Sequence, residues 1–136
     1  YGGGTNHRFG LDDMILIKDN HIAAAGGITN AIEKCLSYLL NQKLHLNIEV
    51  EAKNISEVQE ALQFHNSIHR IMLDNFSLNE LRNGVLLLNK QVVVEASGGI
   101  TLETVRNVAE TGVDFISVGA LTHSPKALDI ALNVHM

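Results

Sequence analysis

Five short apolar runs recur along the 136 residues, and helical patterns fill the intervals between them. The runs are Met14–Ile17, Leu46–Val50, Ile71–Leu73, Val92–Val94 and Phe115–Val118. Most are rich in isoleucine and valine, whose branched side chains suit a pleated, buried surface, so each reads as a strand. Between the first two, Ile28, Ile32, Cys35, Leu36 and Leu39 follow helical spacing. Ser56-Glu57-Val58-Gln59 and Ser77-Leu78-Asn79-Glu80 read as capping boxes that open the next two helices. Thr101 can cap a fourth, Gly112 sits where a helix C-terminal glycine belongs, and Ser124-Pro125 reads as a cap followed by a first-turn proline. Strand starts lie roughly 20–30 residues apart, room for a helix between each pair. A strand followed each time by a helix gives a parallel α/β sheet, here about five βα units with no linker inside residues 1–136.

The strand ends concentrate polar and small residues. The runs are followed by Lys18-Asp19-Asn20, Glu51-Ala52, Asp74-Asn75, Glu95-Ala96-Ser97 and Gly119-Ala120. One polar residue at a strand end means little, but five in a row, with both charge signs, mark an active-site rim at the carboxyl edge of a parallel sheet. Five units do not close an eight-stranded barrel of about 250 residues, and an open doubly wound sheet fits the count equally. The last two units favour a barrel portion. "SGGIT" and "SVGALTHS" follow them, and small residues there let backbone N–H groups approach a phosphate.

Composition narrows the classes. A net charge of −5 and 4% aromatic residues argue against nucleic-acid binding. There is no run of apolar residues long enough for a membrane span and no leader-like start, so a soluble, cytoplasmic protein is expected. The single cysteine, Cys35, excludes an internal disulfide framework and a cysteine-based zinc site.

The charged groups then take candidate roles. Arg8, after three glycines, offers a planar fork for a carboxylate or phosphate, with His7 beside it. Lys18 directly follows Ile17, at the tip of the first strand, whereas His21 reads as structural. Glu49 and Glu51 alternate with Ile48 and Val50 and therefore share one face. With Asp74 at the end of the next strand, they suit Mg²⁺ held by one or two carboxylates plus substrate phosphates. A salt-bridge network with Arg8 and Lys18 is the structural alternative. No HExxH, Walker-type lysine loop or GxGxxG is present, and Ser97 lacks a nucleophile-elbow context.

Taken in order, "GGGTNHRFGLDDMILIKDNHI", "IEVEA", "IMLDNF", "VEASGGI" and "TGVDFISVGALTHS" closely resemble the quinolinate phosphoribosyltransferase family, also called nicotinate-nucleotide pyrophosphorylase (carboxylating). The resemblance covers the whole chain and implies the C-terminal part of a TIM-like α/β barrel. It implies phosphoribosyl transfer from phosphoribosyl pyrophosphate to quinolinate with decarboxylation. The products are nicotinate mononucleotide, pyrophosphate and CO₂, a step of NAD biosynthesis, with Mg²⁺ required. It assigns His7, Arg8 and Lys18 to the quinolinate carboxylates, with Lys18 also by the reacting centre. Glu51 and Asp74 fall to the ribose and Mg²⁺ side, directly or through water. Ser97, Gly98, Gly99, Gly119, Ala120 and His123 fall to the 5′-phosphate. Glu49 matches the motif without an implied role.

The departure is at the front. Members of the family are roughly twice as long, with an N-terminal sandwich domain and early barrel strands that have no counterpart here. Family dimers also complete each site with the other subunit. The resemblance therefore implies a C-terminal portion that is inactive alone. Three other readings compete: a related phosphoribosyltransferase acting on nicotinate or another base, a non-catalytic or partner-dependent half of a split enzyme, and an unrelated phosphate-binding barrel isomerase.

Overall fold

The computed structural model describes residues 3–10 and 12–122. Its elements run β1 (Met14–Ile17), α1 (Asp19–Ala25), α2 (Ile28–Gln42), β2 (Asn47–Ala52), α3 (Ile55–Leu62), β3 (Arg70–Asp74), α4 (Leu78–Leu88), β4 (Val93–Ser97), α5 (Val105–Ala109) and β5 (Phe115–Ile116). A single 3₁₀ turn, Gly119–Leu121, follows β5. All five strands are parallel and lie in sequential order, β1-β2-β3-β4-β5. The helices share one core with a single face of the sheet, as crossovers of the usual right hand in that order require, the winding of a barrel. A doubly wound sheet reverses its strand order partway, and this one does not. Ser124-Pro125, expected to open a further helix, lies outside the described residues.

The strand faces separate cleanly. Ile48, Val50 and Ala52 of β2, Ile71 and Leu73 of β3, and Val94 and Ala96 of β4 join Ile28, Ile32, Val58, Leu81 and Leu88 of the helices in one buried core. The alternate residues face the other way. Register aligns Glu49 with Arg70, Glu51 and Glu95 with Met72, and Asp74 with Ser97. Sequence alternation is thus realised: Glu49 and Glu51 share the face away from the helices. Apolar burial at about 25 cal/mol per Å² anchors the helix side, while the opposite side carries the charges.

Two helix starts differ from the sequence expectation. Asn54, not Ser56, caps α3, its side chain accepting the Glu57 N–H at 2.9 Å while Glu57 accepts the Lys53 N–H. β2 continues to Ala52, so the chain has two residues in which to turn, and Asn54 falls at the boundary. Thr101 heads a turn instead of capping α5. Its N–H donates to Thr104 Oγ1 at 2.9 Å, and α5 starts only at Val105. The Ser77–Glu80 capping box forms as expected, and Gly112 adopts φ +91° beyond α5.

Candidate functional site

At the carboxyl edge of the sheet, four of the expected groups come from successive strand ends. Lys18 follows β1 and is exposed, Glu51 lies near the end of β2 and is buried, and Asp74 and Ser97 end β3 and β4. The Glu51 carboxyl is pushed above its usual range, first by burial and then by the negative charge of Asp74, while Lys18 pulls it back. A buried carboxyl whose ionisation is disfavoured by a neighbouring carboxylate marks a place short of positive charge. Oxygen donors of this type suit a hard divalent cation, so the pair fits Mg²⁺.

The turn after β4 is built against the turn after β3. Asn75 has φ +57°, and its N–H donates to the Ser97 carbonyl at 2.9 Å. Its side-chain amide donates to Asp74 at 2.8 Å. Gly98, at φ +92°, comes so close that a Cβ there would lie 2.8 Å from the Asn75 backbone nitrogen. Only glycine fits that contact. Gly99, at φ +60°, faces open space, which is the condition for a backbone cradle. Gly119 and Ala120 lie exposed in the 3₁₀ turn after β5. His123 lies outside the described residues.

Deeper on the same face is a second set of charges. Glu49 and Glu95 are buried, at 0% and 1% exposure. Arg70 donates to Glu95 Oε2 and stands 3.9 Å from Glu49 Oε1. Its guanidinium also lies over the Phe115 ring, 4.5 Å from the centroid. Ser117 donates its hydroxyl to Glu95 Oε1. His7 reaches in from the opening loop, its Nε2 2.8 Å from Glu49 Oε2 and 3.5 Å from Glu95 Oε1. The approach has ion-pair distance without hydrogen-bond alignment, and both Glu49 oxygens lack an aligned donor. Burial, reinforced by the charge on Glu95, pushes the Glu49 carboxyl up to about 8. Burial draws the His7 imidazole below its usual value, against the pull of Glu95.

The structural alternative for Glu49 was a network with Arg8 and Lys18. Its partners are instead His7 and Arg70. Arg8 donates to the Met14 carbonyl at 3.2 Å, at the start of β1. His21, which showed no partner in the sequence, accepts the Lys18 N–H on Nδ1 at 2.9 Å and closes the first turn of α1. Arg70, Glu95 and Ser117 were not singled out as site residues. The signal was present: Arg70 lies two residues from Met72 and four from Asp74, hence on the same face. His7, Glu49 and Glu95 bring three ligating atoms within 4.8 Å. Arg70 already occupies the cation position beside them, so that cluster is less suited to a metal than Glu51 and Asp74.

An apolar groove of about 430 Å³ lies elsewhere, at the outer edge of β1, lined by Ile15, Ile17, Ala24, Ala31 and Cys35. It contains none of the converging carboxylates. No helix among the described residues is long and apolar enough to cross a membrane.

Residues 1–133 match the family described as quinolinate phosphoribosyl transferase, C-terminal domain. The chain is 48% identical to a mitochondrial quinolinate phosphoribosyltransferase [decarboxylating] of Nicotiana tabacum, over 98% of this chain and 42% of that protein. It is 45% identical to a probable nicotinate-nucleotide pyrophosphorylase [carboxylating] of Bacillus subtilis, over 98% of this chain and 44% of that one. A crystal structure of nicotinate-nucleotide pyrophosphorylase from Ehrlichia chaffeensis superposes with a TM-score of 0.80 at 45% identity, covering 90% of this chain and 43% of that chain. The chain thus spans less than half the length of these relatives.

Proposed function

The chain belongs to the quinolinate phosphoribosyltransferase family through the C-terminal domain, and from that premise we propose that it carries phosphoribosyl transfer to quinolinate with decarboxylation. The observation that carries the proposal is the convergence of Lys18, Glu51, Asp74 and the Ser97–Gly99 turn at one edge of one sheet. Quinolinate is a dianion, and His7, Arg8 and Lys18 are the cationic or donor groups that would hold its two carboxylates. Holding the ring still places its nitrogen against the anomeric carbon of the ribose, and such orientation supplies a large share of catalysis.

The bond to pyrophosphate breaks as the ring nitrogen bonds to the anomeric carbon, and positive charge develops on the ribose. Glu51 and Asp74 stabilise that charge. They are also the residues that would hold Mg²⁺, which when bound neutralises the leaving pyrophosphate. The 5′-phosphate rests on backbone N–H groups at Ser97, Gly98, Gly99, Gly119 and Ala120, and the family resemblance assigns His123 to it as well. Once the nitrogen is cationic, the ring accepts the electron pair left as the 2-carboxylate departs as CO₂. A proton then replaces it at that carbon. Lys18 holds the 2-carboxylate at the reacting centre and helps to expel it as CO₂, and a Lys18→Met variant with full turnover would remove that role.

The relatives are more than twice as long as the aligned stretch, which supports activity in a larger assembly and none in the isolated 136 residues. A homodimer or higher oligomer and a cytoplasmic setting complete the proposal. Exposed Phe9, Leu102 and Leu121 are surface that such an assembly would cover. The test is the formation of nicotinate mononucleotide from phosphoribosyl pyrophosphate and either quinolinate or nicotinate. The assay uses this chain alone and joined to the N-terminal portion of the Bacillus subtilis relative. Turnover of quinolinate by the joined protein only is expected. Use of nicotinate instead would replace the proposal by a related phosphoribosyltransferase, and turnover by the isolated chain would overturn the dependence on a further portion.

A further inference from the structure

Glu95 is the meeting point of three segments that are far apart in sequence. Arg70 of β3 binds its Oε2, Ser117 beyond β5 binds its Oε1, and His7 of the opening loop stands 3.5 Å from that same Oε1. Each partner leads to a different part of the proposed site. His7 itself is a candidate for the substrate carboxylates. Ser117 lies two residues before Gly119-Ala120, a candidate phosphate turn. Glu95 itself lies two residues before Ser97, on the same strand face, at the other phosphate turn. Arg70 lies on the strand that ends in Asp74.

Stability alone is a weak reason for this arrangement. Taking a carboxylate and a guanidinium out of water costs several kcal/mol for each ion, and apolar residues of like volume often serve a core as well or better. Met14 and Met72, both buried, show that the same sheet face accepts apolar side chains. A buried ionic hub with satisfied oxygens instead fixes direction. It allows only one placement of the groups attached to it, as outer-shell partners do around a reactive centre.

We propose that Glu95, held by Arg70, is a positioning residue that sets His7 of the opening loop in register with the phosphate turns after β4 and β5. Glu49 backs His7 from β2, on the far side of β3. The role is exerted through His7 and Ser117, without contact between Glu95 and substrate. It rests on the reading of His7 as a quinolinate ligand, and the experiment separates the two.

Quinolinate affinity is measured by calorimetry on the joined protein used above, with wild type, His7→Ala, the double variant Arg70→Met/Glu95→Met, and the triple variant. The methionine pair removes both charges together, so neither is left buried alone, and methionine packs against Phe115. The double variant is expected to retain wild-type urea resistance yet bind quinolinate about tenfold more weakly. His7→Ala is expected to weaken binding in the wild-type background and to change it less than about twofold in the double variant, because the two act as one unit. Wild-type affinity in the double variant, or equal His7→Ala losses in both backgrounds, overturns the proposal. A His7→Ala protein that binds as wild type does overturns the His7 reading itself, and the register proposal with it. Should the methionine pair prevent folding, Ser117→Ala reads the same coupling. It removes one hydrogen bond from Glu95 and leaves Arg70 paired, and additive losses with His7→Ala overturn the proposal there too.

Discussion

Replacing Glu49 by glutamine removes a loss of stability that the wild-type fold undergoes as pH rises from 4.5 to about 8. Glu49 has no solvent exposure, and its carboxyl is pushed from 4.5 up to about 8, first by burial and then by the charge on Glu95. Between those values the native state holds a proton that the unfolded chain has released. For an acid raised in this sense, the stabilisation is fully present below 4.5 and is lost as pH rises through about 8. The slope is about 1.4 kcal/mol per pH unit. His7 acts oppositely. Burial draws its imidazole below 6.5, so its neutral form is favoured in the fold and its effect on stability rises with pH up to 6.5. The interval from pH 6.5 to 8 therefore isolates Glu49 from His7, and it is worth about 2 kcal/mol. Urea unfolding followed by circular dichroism, in chelator-containing buffer at four pH values across that interval, reads it. The wild type should lose about 2 kcal/mol more than Glu49→Gln over the interval, since glutamine keeps the shape and has no proton to release. Parallel profiles for the two proteins would refute a Glu49 that is protonated in the fold at neutral pH.

Three further outcomes are expected. Asp74→Asn should lower the Glu51 pKa, because the neighbouring negative charge that raises it is gone, and should weaken Mg²⁺ binding at least tenfold by calorimetry; unchanged binding would place the cation elsewhere. Gly98→Ala should destabilise the fold by about 1–3 kcal/mol in urea, because a Cβ would lie 2.8 Å from the Asn75 backbone nitrogen at φ +92°, whereas Gly99→Ala, in open space, should cost less. Asn54→Ala should cost about 1 kcal/mol by losing the α3 cap, while Ser56→Ala should stay within about 0.5 kcal/mol. The reverse order would restore Ser56 as the cap.

Much of the architecture is legible in the sequence because it rests on local rules. Ile48 and Val50 alternate with Glu49 and Glu51, so the face of both carboxylates follows from the two-residue period. The order of runs and helical stretches gives the parallel sheet, and the polar strand ends fall together at its carboxyl edge. What escaped depends on register between distant segments. Arg70 and Glu95 are 25 residues apart, and only the pairing of β3 with β4 brings them together. The His7 contact needs the opening loop to fold back over β2 and β4, which no spacing rule encodes. The α3 boundary failed for another reason. Asn54 and Ser56 both precede an acid or amide three residues on, and where β2 stops decides between them. The last strand is shorter than its apolar run, ending at Ile116 where its pairing with β4 ends.

The central claim is that one edge of this sheet binds a pyridine dicarboxylate and phosphoribosyl pyrophosphate side by side. A crystal structure of the joined protein with phosphoribosyl pyrophosphate, Mg²⁺ and a benzene dicarboxylate lacking the ring nitrogen tests it most directly. The account predicts the dicarboxylate on His7, Arg8 and Lys18, the cation by Glu51 and Asp74, and the 5′-phosphate on the Ser97–Gly99 and Gly119–Ala120 turns. A ligand seated instead in the apolar groove of Ile15, Ala31 and Cys35, with the carboxylate edge empty, would contradict it.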